Sequence, residues 1–403
     1  MWVLFVSAMI FVVYAIASLV VPVHMKMRTK IICVLIIFLF GLKYFVYSQT
    51  GGVLEPRLSP TNIVILEATY SALMLAVFLA IIKDLLLLGR TIYRAVRKVP
   101  SEQRRPWPLA RINAVIAIVA LTTGVWGTLY QYKIPAVYTY PLAVEDLAPE
   151  LEGYKIVQIT DLHIGPILKR DFLQGVVERI NAENPDLVVI TGDFVDGSVA
   201  SLKDEFLPLK DIKAKDGVLA VTGNHEYYSG VNSWVRTWEQ MGVQFLKNES
   251  VLISRANAES KDPDRAAILV SGVPDHHGAA FGEEDPDFEL ALRQLRARFG
   301  HNEVPAVSAA ASASFRLLMA HEPPIVTQNP EADLILTGHT HGGTMFFLQP
   351  LIAHFNAGYV SGMYQVNPRT KLYVSNGTGI WSGFSCRVLV PSEITTFVLE
   401  VAK

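Results

Sequence analysis

Long uninterrupted apolar runs dominate the first third of the chain. Four of them approach the roughly 20 residues that a helix needs to cross a hydrocarbon core. They predict membrane spans at residues 2–21, 31–47, 63–82 and 110–130. After about residue 131 the apolar runs become short and are separated by polar and turn residues. We therefore predict a transmembrane region of four helices over residues 1–131.

The remaining pattern alternates between strand-like and helix-like periods. Strands are predicted at residues 154–159, 187–191, 218–222, 267–271, 316–319, 334–337, 371–374 and 395–401, and helices at 170–182, 201–212 and 232–241. Such alternation favours an α/β domain with partly parallel sheets, here over residues 151–403. The three prolines of residues 132–150 predict a linker between the two regions.

Basic residues are distributed unevenly among the loops of the apolar region. The first loop carries Lys26, Arg28 and Lys30, and the third is the most basic of all, with Arg90, Arg94, Arg97, Lys98, Arg104 and Arg105 among its cations. Because cytoplasmic loops are enriched in Lys and Arg, we expect a multi-pass protein of the cell (inner) membrane. The C-terminal domain would then lie on the periplasmic, extracytoplasmic side.

Composition narrows the expected partners. Apolar residues make up 51% of the chain and the formal net charge is −2, so membrane lipids are expected partners and nucleic acid is not. The two cysteines, Cys33 and Cys386, do not predict a disulfide. Two charges, Lys43 and Glu67, fall at similar depth in neighbouring spans, where they either pair with each other or extend to the nearby surface.

Metal-competent side chains follow five predicted strands. In open α/β sheets, ligands bind outside the carboxyl ends of the strands, so these residues are expected to meet. They are Asp161, His163, Asp193, Asn224, His225, His321, His339 and His341. A mixture of carboxylate, amide and imidazole donors suits Mn²⁺, Fe or Zn²⁺ better than Ca²⁺ or Mg²⁺.

The residues of these motifs and the order of the motifs along the chain resemble those of a known family. Thr160-Asp161-Leu162-His163, Gly192-Asp193-Phe194-Val195-Asp196-Gly197, Gly223-Asn224-His225-Glu226 and Gly338-His339-Thr340-His341 resemble the calcineurin-like metallophosphoesterase superfamily, and look most like its membrane-associated bacterial branch. The resemblance covers residues 151–398. It implies a four-layer αββα sandwich in which helices flank two sheets.

The same resemblance implies a centre of two divalent metal ions, with Mn²⁺ favoured over Fe and Zn²⁺. The first ion would be held by Asp161, His163 and His341, the second by Asn224, His321 and His339, with Asp193 between them. Two such ions activate a bridging hydroxide for in-line attack on phosphorus. His225 would protonate the leaving oxygen, and Glu226 is a candidate orienting partner.

The expected activity is hydrolysis of phosphomonoester, phosphodiester or pyrophosphate bonds, in substrates that include lipid-linked or envelope ones. Gly197 stands where protein Ser/Thr phosphatases of the superfamily carry arginine, and His225 where UDP-diacylglucosamine pyrophosphatases do. Candidate substrate contacts are His276, His277, Tyr227, Tyr228 and Arg387, each of which could instead have a purely structural role. The alternative function is a catalytically silent membrane receptor or assembly factor with a metal-binding domain.

Overall fold

The computed structural model describes residues 2–100, 106–256, 266–298 and 313–402. The chain forms two compact units. One comprises residues 1–131 together with Ser382–Cys386, and the other comprises residues 132–381 and 387–403. We refer to them as the apolar unit and the globular unit.

The described part of the apolar unit contains five helices. They are α1 (Trp2–Ala15, continued to Val20 by a wider helical turn), α2 (Met27–Phe40), α3 (Lys43–Gln49), α4 (Pro60–Val96) and α5 (Leu109–Tyr130). Among the residues that the structure describes, three helices are long and apolar enough to cross a membrane, namely Trp2–Val20, α4 and α5. The predicted second span is not one straight helix, because α2 and α3 meet at a bend of 50°. A fourth span exists only if this bent pair counts as one.

Lys43 and Glu67 form the ion pair that was one of the two sequence-based alternatives. Their side chains are fully buried and the Lys43 Nζ lies 2.7 Å from Glu67 Oε2. Glu67 also accepts hydrogen bonds from the Tyr47 hydroxyl at 2.5 Å and from the Ser385 backbone N–H at 3.0 Å. Lys43 donates a further bond to the Gly383 carbonyl at 2.6 Å. The buried pair therefore holds the Ser382–Cys386 segment inside the apolar unit.

The globular unit contains two six-stranded sheets. The first has the order β1-β12-β2-β3-β4-β5, formed by Ala136–Val144, Glu393–Val401, Lys155–Ile159, Leu187–Thr191, Val218–Val221 and Val243–Phe245. The pairs β2–β3, β3–β4 and β4–β5 are parallel, while β12 runs antiparallel to β2. The carboxyl ends of β2, β3 and β4 consequently lie at one edge of this sheet.

The second sheet has the order β10-β11-β9-β8-β7-β6, formed by Gly362–Gln365, Lys371–Val374, Leu334–Thr337, Phe315–Met319, Ala267–Gly272 and Glu249–Ser254. Strands β7, β8, β9 and β11 are parallel to one another, and the edge strands β6 and β10 run antiparallel to them. Both edge strands and β5 were missed by the sequence analysis. All three are short or have mixed burial, so their periodicity is weak.

The two sheets share one apolar core. Its buried members include Ile156 and Val189 of the first sheet and Ile268, Leu317 and Leu336 of the second. The helices are α6 (Arg170–Ala182), α7 (Val199–Leu202), α8 (Asn224–Ser229), α9 (Val231–Glu239), α10 (Phe288–Arg298) and α11 (Gln349–Phe355). Helix α6 matches its predicted bounds because one face, including Phe172, Val176 and Ile180, is buried.

The predicted linker over residues 132–150 is wrong, because Ala136–Val144 forms β1 and pairs in parallel with β12 along its whole length. The prolines of this segment led to the wrong prediction, because a residue such as Pro141 has no backbone N–H to donate to a neighbouring strand. A proline is tolerated in β1 because this is the edge strand of the sheet. The globular unit therefore begins at Tyr132 rather than at residue 151.

Two further boundaries differ from the prediction. The helix expected over 201–212 is the single turn α7 followed by a 3₁₀ helix at Lys203–Asp211, which contains Pro208. Proline disfavours a regular α-helix because it removes a backbone donor. The predicted C-terminal domain also loses Ser382–Cys386, which belongs to the apolar unit.

Candidate metal centre

The strand-end loops bring all eight sequence-predicted residues to one end of the two sheets. Backbone bonds tie the loops of the first sheet to one another, since the Asp161 N–H bonds to the Gly192 carbonyl at 3.0 Å and the His163 N–H to the Asp193 carbonyl at 3.1 Å. The two sheets are joined at this edge as well. The Thr378 N–H, beyond β11, bonds to the Thr160 carbonyl at 2.8 Å.

Five of the eight residues have left-handed backbone conformations, which are uncommon for side chains other than glycine. The φ angles are 54° at Asp161, 45° at His163, 55° at Asp193, 67° at His339 and 49° at His341. Strain of this kind concentrates at functional sites when the surrounding structure enforces it. Here it turns each side chain towards the common centre.

Two glycines make the close approach of the loops possible. A Cβ on Gly192 would lie 2.6 Å from the His321 ring and from the Gly223 backbone nitrogen. A Cβ on Gly338 would collide with the Asp161 carboxylate and the Thr160 hydroxyl. Any larger residue at either position would therefore push candidate ligands apart.

The first group of donors contains Asp161, His163 and His341, whose ligand atoms all lie within 4.8 Å of one another. His163 Nε2 is 3.1 Å from His341 Nε2, and the latter is 3.4 Å from Asp161 Oδ1. His163 Nδ1 faces the Asp196 carboxylate at 3.1 Å. A carboxylate only accepts hydrogen bonds, so the His163 proton is on Nδ1 in the neutral ring and Nε2 presents a bare lone pair.

The second group contains Asp193, His321 and His339, again within 4.8 Å. His321 Nδ1 donates to the Thr191 carbonyl at 2.8 Å, which leaves its Nε2 facing Asp193 Oδ2 at 3.2 Å. His339 Nδ1 lies 3.2 Å from the amide oxygen of Asn224. Lone pairs that face one another and a carboxylate require a positive charge between them, and a divalent ion would meet that requirement.

The pKa values of the histidines show the same demand for positive charge. Burial alone would lower the pKa of His321, but the carboxylates of Asp193 and Asp161 raise it well above its usual range. Burial and the neighbouring His321 lower the pKa of His339 to about 3, and burial and His163 hold that of His341 well below its usual range. His339 and His341 are therefore neutral imidazoles, the form that binds metals.

His225 is placed to handle a proton. Its Nδ1 is 2.6 Å from Asp196 Oδ1, and its backbone N–H donates to Asp193 Oδ1 at 2.9 Å. Burial opposes its charging, yet Asp193 and Asp196 raise the pKa of His225 to about 9. The imidazole is therefore held in its protonated form near neutral pH.

Asp196, which the sequence analysis did not assign, is the orienting partner of His225, and Glu226 is not. The Glu226 carboxylate instead accepts from three backbone N–H groups, those of Gly223 at 2.6 Å, Phe194 at 2.7 Å and Asp193 at 2.9 Å. It thus fixes the loop that carries Asp193. The signal for Asp196 was present in the sequence as the second aspartate of the Gly192–Gly197 motif.

Two of the candidate substrate contacts have structural surroundings instead. Arg387 is 1% exposed and donates to the carbonyls of Asn376 and Gly379, both at 2.7 Å, and of His341 at 3.3 Å. It therefore positions the loop of His341. Tyr227 is buried, and its hydroxyl lies 2.9 Å from that of Thr222. Its neighbour Tyr228 is 43% exposed, with its ring 5.6 Å from that of His225.

His276 and His277 begin a 3₁₀ turn after β7. A cavity of about 380 Å³ is lined by His276, Asp275 and Glu322 as well as by His321. Glu322 was not singled out from the sequence, although it directly follows His321. Its Oε1 lies 3.7 Å from His339 Nε2.

This chain is similar in sequence to known proteins, both in the region of the motifs and over a longer part of its length. Residues 154–343 match the family model described as calcineurin-like phosphoesterase. A "Transmembrane protein with metallophosphoesterase domain" from Bos taurus is 33% identical over 317 residues, which are 77% of this chain and 67% of the relative. An "Uncharacterized metallophosphoesterase" from Helicobacter pylori is 30% identical over 300 residues, 73% of this chain and 72% of the relative. The chain belongs to the calcineurin-like metallophosphoesterase family.

Residues 154–343 therefore form a calcineurin-like metallophosphoesterase domain, and the family implies two divalent metal ions. A Danio rerio relative with the same transmembrane name is 32% identical over 72% of this chain, and the chain spans 63% of that relative's length. The apolar helices and these relatives together indicate membrane association. The donors of the two groups fit the metals, because the carboxylates of Asp161 and Asp193 lie within 3.4 Å of the imidazole nitrogens of His341 and His321, respectively.

Proposed function

We propose that this metallophosphoesterase is a membrane-anchored hydrolase of phosphoester or pyrophosphate bonds that uses a dinuclear centre. The observation that carries the proposal is the pair of donor groups flanked by a buried His225–Asp196 pair. The first ion would be bound by Asp161, His163 and His341 and the second by Asn224, His321 and His339, with Asp193 between the two. When bound, such ions supply an activated hydroxide and neutralise charge on the phosphoryl group.

The roles of the protein's own residues follow from their contacts. Asp196 orients both His163 and His225, Glu226 holds the backbone of the Asp193 loop, and Arg387 holds that of His341. His225 donates its proton to the leaving oxygen, because its raised pKa keeps it protonated. His276 lines the cavity beside the centre and His277 follows it in the same turn, so these two residues would contact substrate groups beyond the scissile phosphate.

The proposal extends to architecture and location. Helices cover the outer faces of the two sheets in four layers, and the α2–α3 pair forms a broken second span, for four spans in all. The catalytic unit would then lie on the periplasmic side of the inner membrane. Side chains such as Ile32, Leu35 and Leu39 are exposed, which is expected of helices that contact lipid. A lipid-linked or envelope phosphoester is therefore the proposed substrate class.

The test is metal-stimulated hydrolysis by the full-length protein in detergent. We expect the wild type to hydrolyse bis- or mono-(p-nitrophenyl) phosphate when Mn²⁺ is added, with Fe²⁺ and Zn²⁺ as comparisons. Asp193→Asn should bind less metal and lose at least about 10²-fold in kcat, as expected when a charge-stabilising group is removed. Asp211→Asn, an exposed aspartate, is the matched control and should retain activity.

A fully metal-loaded wild type without hydrolysis would contradict the enzyme and favour the receptor or assembly factor. A subsequent screen of phospholipids, polyprenyl phosphates and nucleotide diphospho-sugars distinguishes the substrate classes. Preference for a water-soluble phosphoester over every lipid-linked compound would overturn the proposed substrate class while leaving the reaction intact.

A further inference from the structure

A second cluster of metal-competent side chains lies outside the dinuclear centre. It consists of Asp275, His276, His277 and Glu322, each of which offers one ligand atom within 4.8 Å of the others. Three of its four members come from the turn after β7 and the fourth follows β8. We propose that this cluster binds a third divalent cation, and that Zn²⁺ is the ion it fits best.

The distances within the cluster match a tetrahedral site. His277 Nδ1 is 2.8 Å from Asp275 Oδ1 and 3.4 Å from Glu322 Oε1. His276 Nδ1 is 3.1 Å from Glu322 Oε2 and 4.0 Å from Asp275 Oδ1. A tetrahedral Zn²⁺ with bonds of ~2.0–2.1 Å places its ligand atoms about 3.3 Å apart. Small movements of the side chains would therefore close the four atoms around one ion.

Hydrogen bonds among the described residues account for only part of the cluster, since Asp275 Oδ1 accepts from the His277 backbone N–H and lies 2.8 Å from His277 Nδ1. Asp275 is only 3% exposed, and its Oδ2 atom has no hydrogen-bond partner among the described residues. Glu322 Oε1 likewise has none that meets hydrogen-bond geometry. Buried polar atoms are paired in the great majority of cases. Two orphaned carboxylate oxygens in one cluster therefore point to a cation.

The charge and accessibility of the cluster also favour a cation over an anion. Two carboxylates within hydrogen-bond distance of two imidazoles repel phosphate but attract a divalent ion. Two nitrogen and two oxygen donors suit Zn²⁺, whereas Mg²⁺ and Ca²⁺ prefer oxygen alone. The side chain of His276 is 55% exposed, which leaves the ion a path from solvent.

The third ion would lie beside the dinuclear centre without sharing its main ligands. Asp275, His276 and His277 are absent from the other donor groups, and Glu322 approaches His339 only to 3.7 Å. The same cavity is lined by Asp275, His276, Glu322 and His321. The ion would thus add positive charge to the wall of the cavity, next to the second ion of the proposed centre.

The test counts metal ions in the full-length protein. Protein stripped with a chelator is dialysed to equilibrium against Zn²⁺ at a buffered free concentration, and bound zinc per chain is measured by mass spectrometry. We expect three equivalents for the wild type and two for the His276→Ala/His277→Ala variant. His354→Ala, which removes an exposed histidine of α11, is the matched control and should bind three.

The remaining outcomes separate this site from the dinuclear centre. Asp193→Asn should lower the count through the dinuclear centre, and adding the double substitution to it should remove one further equivalent. A wild-type count of two, or a count of three that survives the double substitution, overturns the proposal. The single variant His276→Ala controls for misfolding, because it changes only the exposed ring. In a Co²⁺ titration followed by visible absorption, this variant should bind the third equivalent more weakly than the wild type.

Discussion

Asp196 connects the metal-binding and proton-handling parts of the site at the scale of single residues. One of its carboxylate oxygens faces both His163, at 3.1 Å, and His225, at 2.6 Å. The first contact orients a candidate metal ligand, and the second keeps a candidate general acid charged. A single buried carboxylate therefore affects both metal affinity and proton transfer.

Asp196→Asn should shift the pH dependence of hydrolysis. The carboxylate raises the pKa of His225, so its removal lowers that pKa, and the acid form is then lost at lower pH as the pH rises. We expect the alkaline limb of kcat/KM to move to lower pH. The rate with a poor leaving group such as phenyl phosphate should fall about 10²-fold more than that with p-nitrophenyl phosphate.

The measurement is kcat/KM against pH at saturating Mn²⁺ with both substrates. Saturation matters because loss of an orienting group also weakens metal binding, by about 10–100-fold. Asp211→Asn serves as the surface control. An unchanged alkaline limb, or an equal loss with both leaving groups, would show that Asp196 does not act through His225.

At the scale of elements, β1 completes the first sheet. It covers the edge of β12 over nine register positions, from Ala136 opposite Glu393 to Val144 opposite Val401. Leu142 and Val144 are buried, and Tyr140 packs against the core. A fragment of this protein that starts at residue 151 therefore lacks part of its own core.

A fragment beginning at Tyr132 should be more stable than one beginning at Leu151. Burying Leu142 and Val144 contributes ~1.5–3 kcal/mol each, so we expect a difference of about 3–6 kcal/mol in the free energy of unfolding. Urea unfolding of the two fragments measures this difference, and both fragments lack the helices of the apolar unit. Equal midpoints would show that β1 adds nothing to the sheet.

The buried Lys43–Glu67 pair is the corresponding element of the apolar unit. Removing one partner leaves the other charge buried and unpaired, which costs about 3–5 kcal/mol. We therefore expect Lys43→Met to destabilise the unit more than the double substitution Lys43→Met/Glu67→Gln does. Lys26→Met, at an exposed lysine, is the control.

The readout is labelling of the buried Cys386 thiol in a Cys33→Ser background, since Cys386 lies in the segment that the pair holds. Thermal exposure of this thiol in detergent should occur at the lowest temperature in the single variant. If the single and double variants behaved alike, the pair would have no structural weight.

At the scale of the whole molecule, the chain divides into the apolar unit and the globular unit, which carries the candidate metal centre. The segment Ser382–Cys386 is the exception, since it is part of the apolar unit although its flanking residues Trp381 and Arg387 belong to the globular unit. Arg387 holds the His341 loop through its carbonyl contacts. The chain therefore passes between the apolar unit and the globular unit at residue 131, and again on either side of the five-residue segment Ser382–Cys386.

The distribution of basic residues predicts the orientation of the molecule. A reporter that is active only outside the cytoplasm should be active when fused after Lys403 and inactive when fused after Lys98, in the basic third loop. This follows because Lys and Arg are retained on the cytoplasmic side. The reverse pattern would place the catalytic unit in the cytoplasm and remove envelope phosphates from the proposed substrates.

Sequence periodicity and strand-end motifs by themselves determined the α/β domain, the family and the eight residues that meet at the site. This was possible because apolar periodicity reports burial and because parallel strands end at a common edge. Pro141 concealed the strand β1, because an edge strand tolerates a residue without a backbone N–H and a central strand does not.

Only the tertiary structure decided which partner each polar group has. Asp196 rather than Glu226 faces His225, Arg387 binds backbone carbonyls, and Glu322 joins Asp275, His276 and His277. These contacts join residues distant in the chain, and their choice depends on side-chain directions and loop conformations that periodicity does not encode. The left-handed backbone at Asp161, Asp193 and His341 was likewise not predictable from the sequence, because packing between loops enforces it and the local sequence does not.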